Sequence, residues 1–284
     1  MKATFYDLGG VKTAEEALDK SACNWEAQLI EMVTTNGINV PEHKAVVRSD
    51  NNWVIGVVGS RYRPLQPSFA YSWFDAVCAQ HNAAYTGAYV IDGGHKVILE
   101  ATVNGAIEIR KNDVVFQKIQ LINTFDGSYP FTAQFMVWRQ VCKNGLMGWA
   151  KENKCKVHHT KNGEIKAAEA MRVLSAGTVF FKRFEEQLRV LSQKVLDSAM
   201  VDRFIKECFG EGGGTRRENL VEKVKECYEA GMGTGQGTAY DLYNGYVEWI
   251  DHYRSSDVET RLANSVLGAT YLKETAWNAI NKLV

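Results

Sequence analysis

A chain of 284 residues, 45% of them hydrophobic, carries enough apolar material for one large core or two smaller ones, which excludes disorder as its default state. Lys plus Arg and Asp plus Glu balance at 33 each, so no overall charge draws the molecule toward nucleic acid or an anionic membrane, and any polyanion site has to be local. The opening residues run into Glu15, Glu16 and Asp19 without an apolar signal-like stretch, and no window approaches the ~20 apolar residues that span a bilayer; the sequence therefore predicts a soluble cytoplasmic protein with no membrane partner.

From Lys44 to about Ala150 the apolar segments are short, rich in Val, Ile and Tyr, and separated by turn residues, as strands are. Ala45 to Arg48 and Trp53 to Val58, on either side of Asp50-Asn51-Asn52, predict a hairpin. Phe69, Trp73, Phe74 and Val77 recur at three- and four-residue spacing and predict a helix from Pro67 to His81, with Ser68 as its cap. Thr86 to Ile91, the turn Asp92-Gly93-Gly94 and Lys96 to Val103 give a second and stronger hairpin signal. Val114 to Asn123 and Phe131 to Val141 predict a further strand pair, joined by Asp126-Gly127-Ser128-Tyr129-Pro130, in which Asp126 bonds its own backbone to close a turn.

After Thr160 the period becomes helical. Ala168, Met171, Leu174, Phe181, Phe184, Leu188, Leu191 and Val195 predict one extended helix, and Leu220, Val224, Cys227 and Tyr228 another. Ala239 to Tyr253 and Ser256 to Leu283 follow, the last opening on a capping box, Ser256-Asp257-Val258-Glu259. The glycine-rich breaks at Gly210 to Gly214 and Gly231 to Gly237 read as loops between helices. The expected fold is α+β: a twisted antiparallel sheet with packed helices forming a β-rich core over residues 1–160, then a helical C-terminal region over 161–284.

Little in the sequence points to catalysis. The six cysteines, Cys23, Cys78, Cys142, Cys155, Cys208 and Cys227, contain no CxxC pair, so they predict reduced thiols in place of a disulfide framework or a zinc ribbon. Cys142, Cys155, His158 and His159 lack a recognised ligand spacing, and no metal or other cofactor is expected. Asp126, Ser128 and His159 have no nucleophile-elbow context. The loop Gly231 to Gly237 leads into a helix whose N-terminus can cradle phosphate, yet it has neither a preceding strand nor a Gly-Lys-Ser/Thr ending. A nucleic-acid enzyme would have to gather Asp126, Glu100 and Asp113 around Mg²⁺.

One local feature stands out. Arg139, Lys143, Lys151, Lys154, Lys156, Lys161 and Lys166 are opposed only by Glu152 and Glu164, with Trp138, Trp149, His158 and His159 interleaved. Cations that neutralise phosphates beside aromatic faces that stack on bases suit single-stranded nucleic acid. A solvated connection with core tryptophans fits the same composition, and Arg139 could instead hold the sheet by pairing with Asp126; both alternatives stay open.

The stretch Asn123-Thr124-Phe125-Asp126-Gly127-Ser128, followed by Arg139-Gln140-Val141-Cys142-Lys143-Asn144-Gly145-Leu146, resembles the central signature of the phage/plasmid-like protein family known as domain of unknown function 932. Trp25, Val47-Arg48-Ser49-Asp50, Gly56-Val57-Val58-Gly59 and Tyr62-Arg63-Pro64-Leu65-Gln66-Pro67 resemble its N-terminal run. His159-Thr160, the segment from Gly237 to Asn244, and Asp251-His252 with Arg254 resemble its later segments, so the similarity covers nearly the whole chain. This resemblance implies a mobile-element origin and no assigned activity.

The order hairpin, helix, hairpin, strands, helices is also similar to single-strand annealing proteins of the phage Redβ, RecT and Erf type. That similarity implies a curved antiparallel sheet, assembly into a ring or filament, and a basic groove for DNA. The expectation is a non-enzymatic homo-oligomer that binds and anneals single-stranded DNA during phage or plasmid recombination in the host cytoplasm. Its contact residues would be Arg139, Lys143, Trp149, Lys151, Lys154, Lys156, His158, His159 and Lys161. A metal-dependent nucleic-acid enzyme and a mobile-element structural or host-interaction protein are the alternatives.

Overall fold

The structure, a computed structural model, describes residues 2–141, 144–146, 154–174, 177–255 and 270–284. It is α+β, with two sheets of antiparallel strand pairs and helices concentrated after residue 160. Two compact units divide the chain: Met1–Asn104, Lys118–Phe135 and Lys151–Thr178 form the first, and Gly105–Gln117, Met136–Ala150 and Val179–Val284 the second. A single cut at residue 160 does not separate them, because three long strands run through both.

The N-terminal segment supplies β1 (Ala3–Asp7), α1 (Ala14–Lys20) and β2 (Ala27–Val33). Glu15 and Glu16 form the acidic first turn of α1, where the helix dipole favours them; Thr13 caps that turn by accepting from Glu16 N at 3.2 Å. The first predicted hairpin is present as β3 (Asn39–Arg48) and β4 (Val54–Gly59), closed by Arg48 N–H donating to Trp53 O at 2.9 Å, and it completes a three-stranded sheet in the order β2-β3-β4. Val46 pairs with Gly56 and Val47 with Val54, so Ile55 is the extra residue of a bulge and is fully buried. A Cβ on Gly56 would lie 2.3 Å from the Phe125 carbonyl oxygen, so only glycine permits this close approach of two backbones.

The larger sheet runs β1-β5-β6-β7-β8-β10, with β9 paired to β8. The second predicted hairpin joins β5 (Ala83–Ile91) to β6 (Lys96–Arg110) through a short 3₁₀ turn in which Asp92, Gly93 and Gly94 all have positive φ. Arg48 links the two hairpin turns: it holds Asp50 through two bonds of 3.0 and 2.6 Å and donates to Gly93 O at 2.7 Å. Next come β7 (Asp113–Thr124), β8 (Phe131–Arg139), β9 (Asn144–Leu146) and β10 (Lys154–Val157).

Helix α2 (Pro67–Gln80) matches its predicted span to within a residue; its N-cap is Gln66, extended and without a side-chain capping bond, Pro67 takes the first helical position, and Ser68 does not cap it. It buries Tyr71, Trp73, Phe74 and Val77, and the Trp73 indole N–H donates to Ala167 O at 2.8 Å on α3 (Gly163–Leu174).

The second unit contains the far ends of β6, β7 and β8 with β9, α4 (Gly177–Gln193), α5 (Ser198–Phe209) and α6 (Thr215–Ala230). It continues through α7 (Ala239–Glu248), prolonged by a π-helical turn Trp249–Tyr253, and ends with α8 (Thr270–Asn281). Of the extended helix expected from Ala168 to Val195, the described residues give α3 to Leu174 and α4 from Gly177 to Gln193, and residues 175–176 lie outside the described residues. Helix α5 escapes the sequence reading; Asp197 caps it by accepting from Met200 N at 2.8 Å, and Val201, Phe204 and Ile205 are buried. The predicted capping box from Ser256 to Glu259 lies outside the described residues.

Buried charge organises this unit. Arg139, fully buried, donates to both Asp113 carboxylate oxygens at 2.8 and 2.6 Å, and to the carbonyls of Met232 and Gly233 at 3.1 and 2.6 Å. Arg110 binds Asp241 at 2.6 Å and the Thr238 hydroxyl, and both guanidinium groups lie over the Tyr240 ring, at 4.7 Å for Arg110 and 5.1 Å for Arg139. Asp241 also accepts from the Gln236 and Thr238 amides at 3.1 Å each and closes a capping box with Thr238. The N-terminus of α7 is therefore occupied by its own carboxylate, and the loop Gly231 to Gly237 is a structural brace. Replacing Arg139 by Ala is expected to leave Asp113 unpaired in the interior and cost about 3–5 kcal/mol in urea unfolding, whereas the double change Arg139→Met with Asp113→Leu is expected to cost less than the single one.

Candidate nucleic-acid interface

A cleft of about 1200 Å³ opens in the first unit, lined by the β4–α2 connection, the β7–β8 turn, the segment after β10, and Glu42 and His43 of β3. Its wall is set by the way the chain around Leu65 is held. That connection runs without a partner strand, so its buried polar groups need side-chain partners. Leu65 N–H donates to His159 Nδ1 at 3.2 Å, and Leu65 O accepts from the Asn123 amide at 2.9 Å. Arg63 N–H donates to His159 O at 3.0 Å, so His159 grips the connection with both its ring and its carbonyl.

Tyr62 stacks on His159 with ring centroids 4.9 Å apart and planes at 17°, and its hydroxyl donates to Thr124 O at 2.7 Å. Burial, with the Asp126 charge adding to it, pushes the Tyr62 phenol well above its ordinary range, so it stays a neutral donor. Asp126 closes the predicted turn, accepting from Ser128 N at 2.9 Å, and pairs with Lys96 at 3.5 Å. Because Nδ1 of His159 accepts a hydrogen bond, the ring is neutral and carries its proton on Nε2. Burial first and the neighbouring His158 second push its pKa down to about 4, against a weaker opposing pull from Asp126. His159 is 5% exposed, and Nε2 has no hydrogen-bond partner among the described residues.

Around this floor the cleft is basic. Arg61, Arg63, His158 and Lys161 are exposed lining residues, and Glu42 is the one carboxylate among the described residues that line it. Lys156 stands over the Tyr129 ring at 5.6 Å. The arrangement offers exposed cations beside half-buried aromatic rings, which suits binding of a phosphate-bearing chain.

Part of the predicted contact segment meets here. His158, His159 and Lys161 line the cleft, and Lys156 flanks it through Tyr129. Lys154 lies in β10 opposite Gln134 and is half-buried. Arg139 belongs to the second unit, buried against Asp113; its partner is not Asp126, and its donors are engaged internally and not presented to solvent. Lys143, Trp149 and Lys151 lie outside the described residues. Arg61, Tyr62 and Arg63 were missed as site residues, although the Arg-Tyr-Arg run before Pro64 is itself a signal: alternating cations and an aromatic on a proline-stiffened connection.

The three carboxylates considered for Mg²⁺ each face their own cation, Glu100 with Lys118 at 2.9 Å, Asp113 with Arg139 at 2.6 Å and Asp126 with Lys96 at 3.5 Å. Among the described residues no group of three or more His, Cys, Asp and Glu side chains is placed to hold a metal ion.

His159 also sets a pH dependence. Its ring has a pKa near 6.5 when unfolded and about 4 in the fold, so between these values the unfolded chain binds a proton that the native ring does not. Stability from this group is complete above about pH 6.5 and is lost as pH falls toward 4, by about 3 kcal/mol in all. His159→Asn keeps an acceptor near Nδ1 for Leu65 N–H and removes the titration. The stability difference between pH 7 and pH 4.5, measured by urea unfolding, is therefore expected to be roughly 2 kcal/mol smaller in that variant than in the parent.

The sequence model of the family described as Domain of unknown function (DUF932) matches residues 54–277, a span that includes the β4–α2 connection, the β7–β8 turn and His159. No curated protein and no solved structure matches the chain. No helix among the described residues is long and apolar enough to cross a membrane. With the match extending over most of its length, the chain belongs to the DUF932 family.

Proposed function

We propose that the cleft of the first unit binds single-stranded nucleic acid, and that the protein acts as a homo-oligomer that anneals complementary DNA strands during phage or plasmid recombination in the host cytoplasm, without catalysis. The observation that carries this reading is the group of exposed cations Arg61, Lys156 and Lys161, with His158 among them, set beside Tyr62 and Tyr129 in a chain whose total charge is zero. At about 1200 Å³ the open cleft exceeds the roughly 300–1,000 Å³ of pockets that enclose a small ligand, which favours a strand passing through it.

A handful of phosphate contacts gives modest affinity for one subunit, and repetition of the site along one strand raises it by effective concentration. Edges for such repetition exist. Strands β2 and β4 bound the three-stranded sheet and carry exposed Ile30, Val33, Val54 and Val57, a template for pairing between copies.

Changing Arg61, Lys156 and Lys161 together to Ala is expected to leave the melting temperature unchanged, weaken binding of an oligothymidylate, and flatten its salt dependence by about 2, at roughly 0.7 per lost contact. Unchanged affinity and slope in a normally folded variant would place the site elsewhere. Light scattering with and without the oligonucleotide tests the annealing part, with an oligomer expected and a strict monomer in both conditions counting against it.

A further inference from the structure

We infer that the buried Nε2–H of His159 is a neutral hydrogen-bond donor that seats one phosphate of the bound strand at the floor of the cleft, with a non-bridging phosphate oxygen as acceptor. The inference deepens the reading of the cleft as a nucleic-acid site and rests on it.

The donor is fixed by geometry. Leu65 N–H holds Nδ1 at 3.2 Å, Tyr62 covers a face of the ring at 4.9 Å, and Arg63 N–H holds the carbonyl at 3.0 Å. The ring cannot flip without giving up the Leu65 bond, so the proton stays on Nε2. There it has no acceptor among the described residues, although His159 is 95% buried by its 5% exposure and lines the cleft. A buried donor without an acceptor is destabilising by about 1–3 kcal/mol, and native structures retain few of them. A group poised to donate once a ligand arrives accounts for its retention.

The surrounding charge selects the acceptor. Arg61, Arg63 and Lys161 line the same cleft, with Glu42 the one described carboxylate, so an anionic oxygen is favoured there over a neutral carbonyl. Nε2 is shielded from solvent in this conformation. The phosphate oxygen therefore reaches it when the groups that cover it part, or through one bridging water.

A neutral donor leaves a signature that a cation cannot. Its loss weakens binding without releasing fewer counterions, so the salt slope stays where it was. The experiment compares the full-length parent with His159→Asn, which keeps the Nδ1-like acceptor and deletes the donor, and with His159→Gln, whose amide reaches the Nε2 position. Oligothymidylate affinity is measured against salt and beside thermal melting. In parallel, the imidazole Nε2–H resonance of the parent is followed by NMR during titration with the oligonucleotide and with inorganic phosphate.

Expected are a roughly ten- to hundredfold loss of affinity in His159→Asn at unchanged salt slope and near-parental melting, partial recovery in His159→Gln, and a shift of the Nε2–H resonance with both ligands. A folded His159→Asn that binds as tightly as the parent, or a loss accompanied by a flatter salt slope, overturns the inference while leaving the cleft reading intact. If His159→Asn fails to fold, a resonance in the parent unmoved by either ligand at saturation overturns it. If the parent binds no oligonucleotide, the strand reading falls and the phosphate titration alone decides: a shifted Nε2–H supports the phosphate seat and an unmoved one removes it.

Discussion

The site depends on the two-sided capture of one main-chain residue. Leu65 lies on a connection that has left β4 and not yet entered α2, is 2% exposed, and finds neither ladder nor helix to satisfy its polar groups. His159 takes its N–H and Asn123 takes its carbonyl, from 94 and 58 residues away. The rest of the wall follows from that capture. It sets the His159 tautomer, brings the Tyr62 ring against the imidazole, and leaves Arg61, Arg63 and Lys161 as exposed residues of the cleft lining. A buried backbone amide without a partner is so unfavourable that the side chains supplying partners become fixed points, and fixed points are what a binding surface is built on.

The zero net charge of the chain conceals an uneven distribution. In the first unit Lys118 faces Glu100; in the second Arg139 faces Asp113, Arg110 faces Asp241 and Lys273 faces Asp251, all in pairs with little exposure. Such pairs brace loops and helix ends, and their charges cancel locally. The cleft keeps its cations exposed. Arg139 and Arg61 thus have the same side chain and opposite settings: one is a brace closed around a carboxylate and two carbonyls, the other an exposed charge at the cleft.

What the sequence revealed follows from which signals are local. The two hairpins and α2 were legible because alternation, turn residues and helical spacing each act within a dozen residues. Helix α5 was not, since its short amphipathic pattern follows directly on a longer one. At the site, the segment from Lys156 to Lys161 was readable as basic and aromatic, but exposure is decided by distant partners. The adjacent pair His158 and His159 shows this: one is exposed, and the other is turned inward to meet Leu65. The fate of Arg139 depended on Asp113, 26 residues upstream on the neighbouring strand, and no spacing rule connects them. Arg61 to Arg63 lacked any periodicity because an unpaired connection between two prolines and a strand has none.

The most direct measurement of the central claim is a map of where a single strand touches the protein. Ultraviolet cross-linking of an oligothymidylate to the full-length chain, followed by mass spectrometry of the digested complex, reads this without any substitution. Cross-links are expected on peptides carrying Tyr62, Tyr129 and His158, rings that line the cleft. Cross-links confined to peptides of the second unit, or none from a strand shown to bind, would contradict that claim.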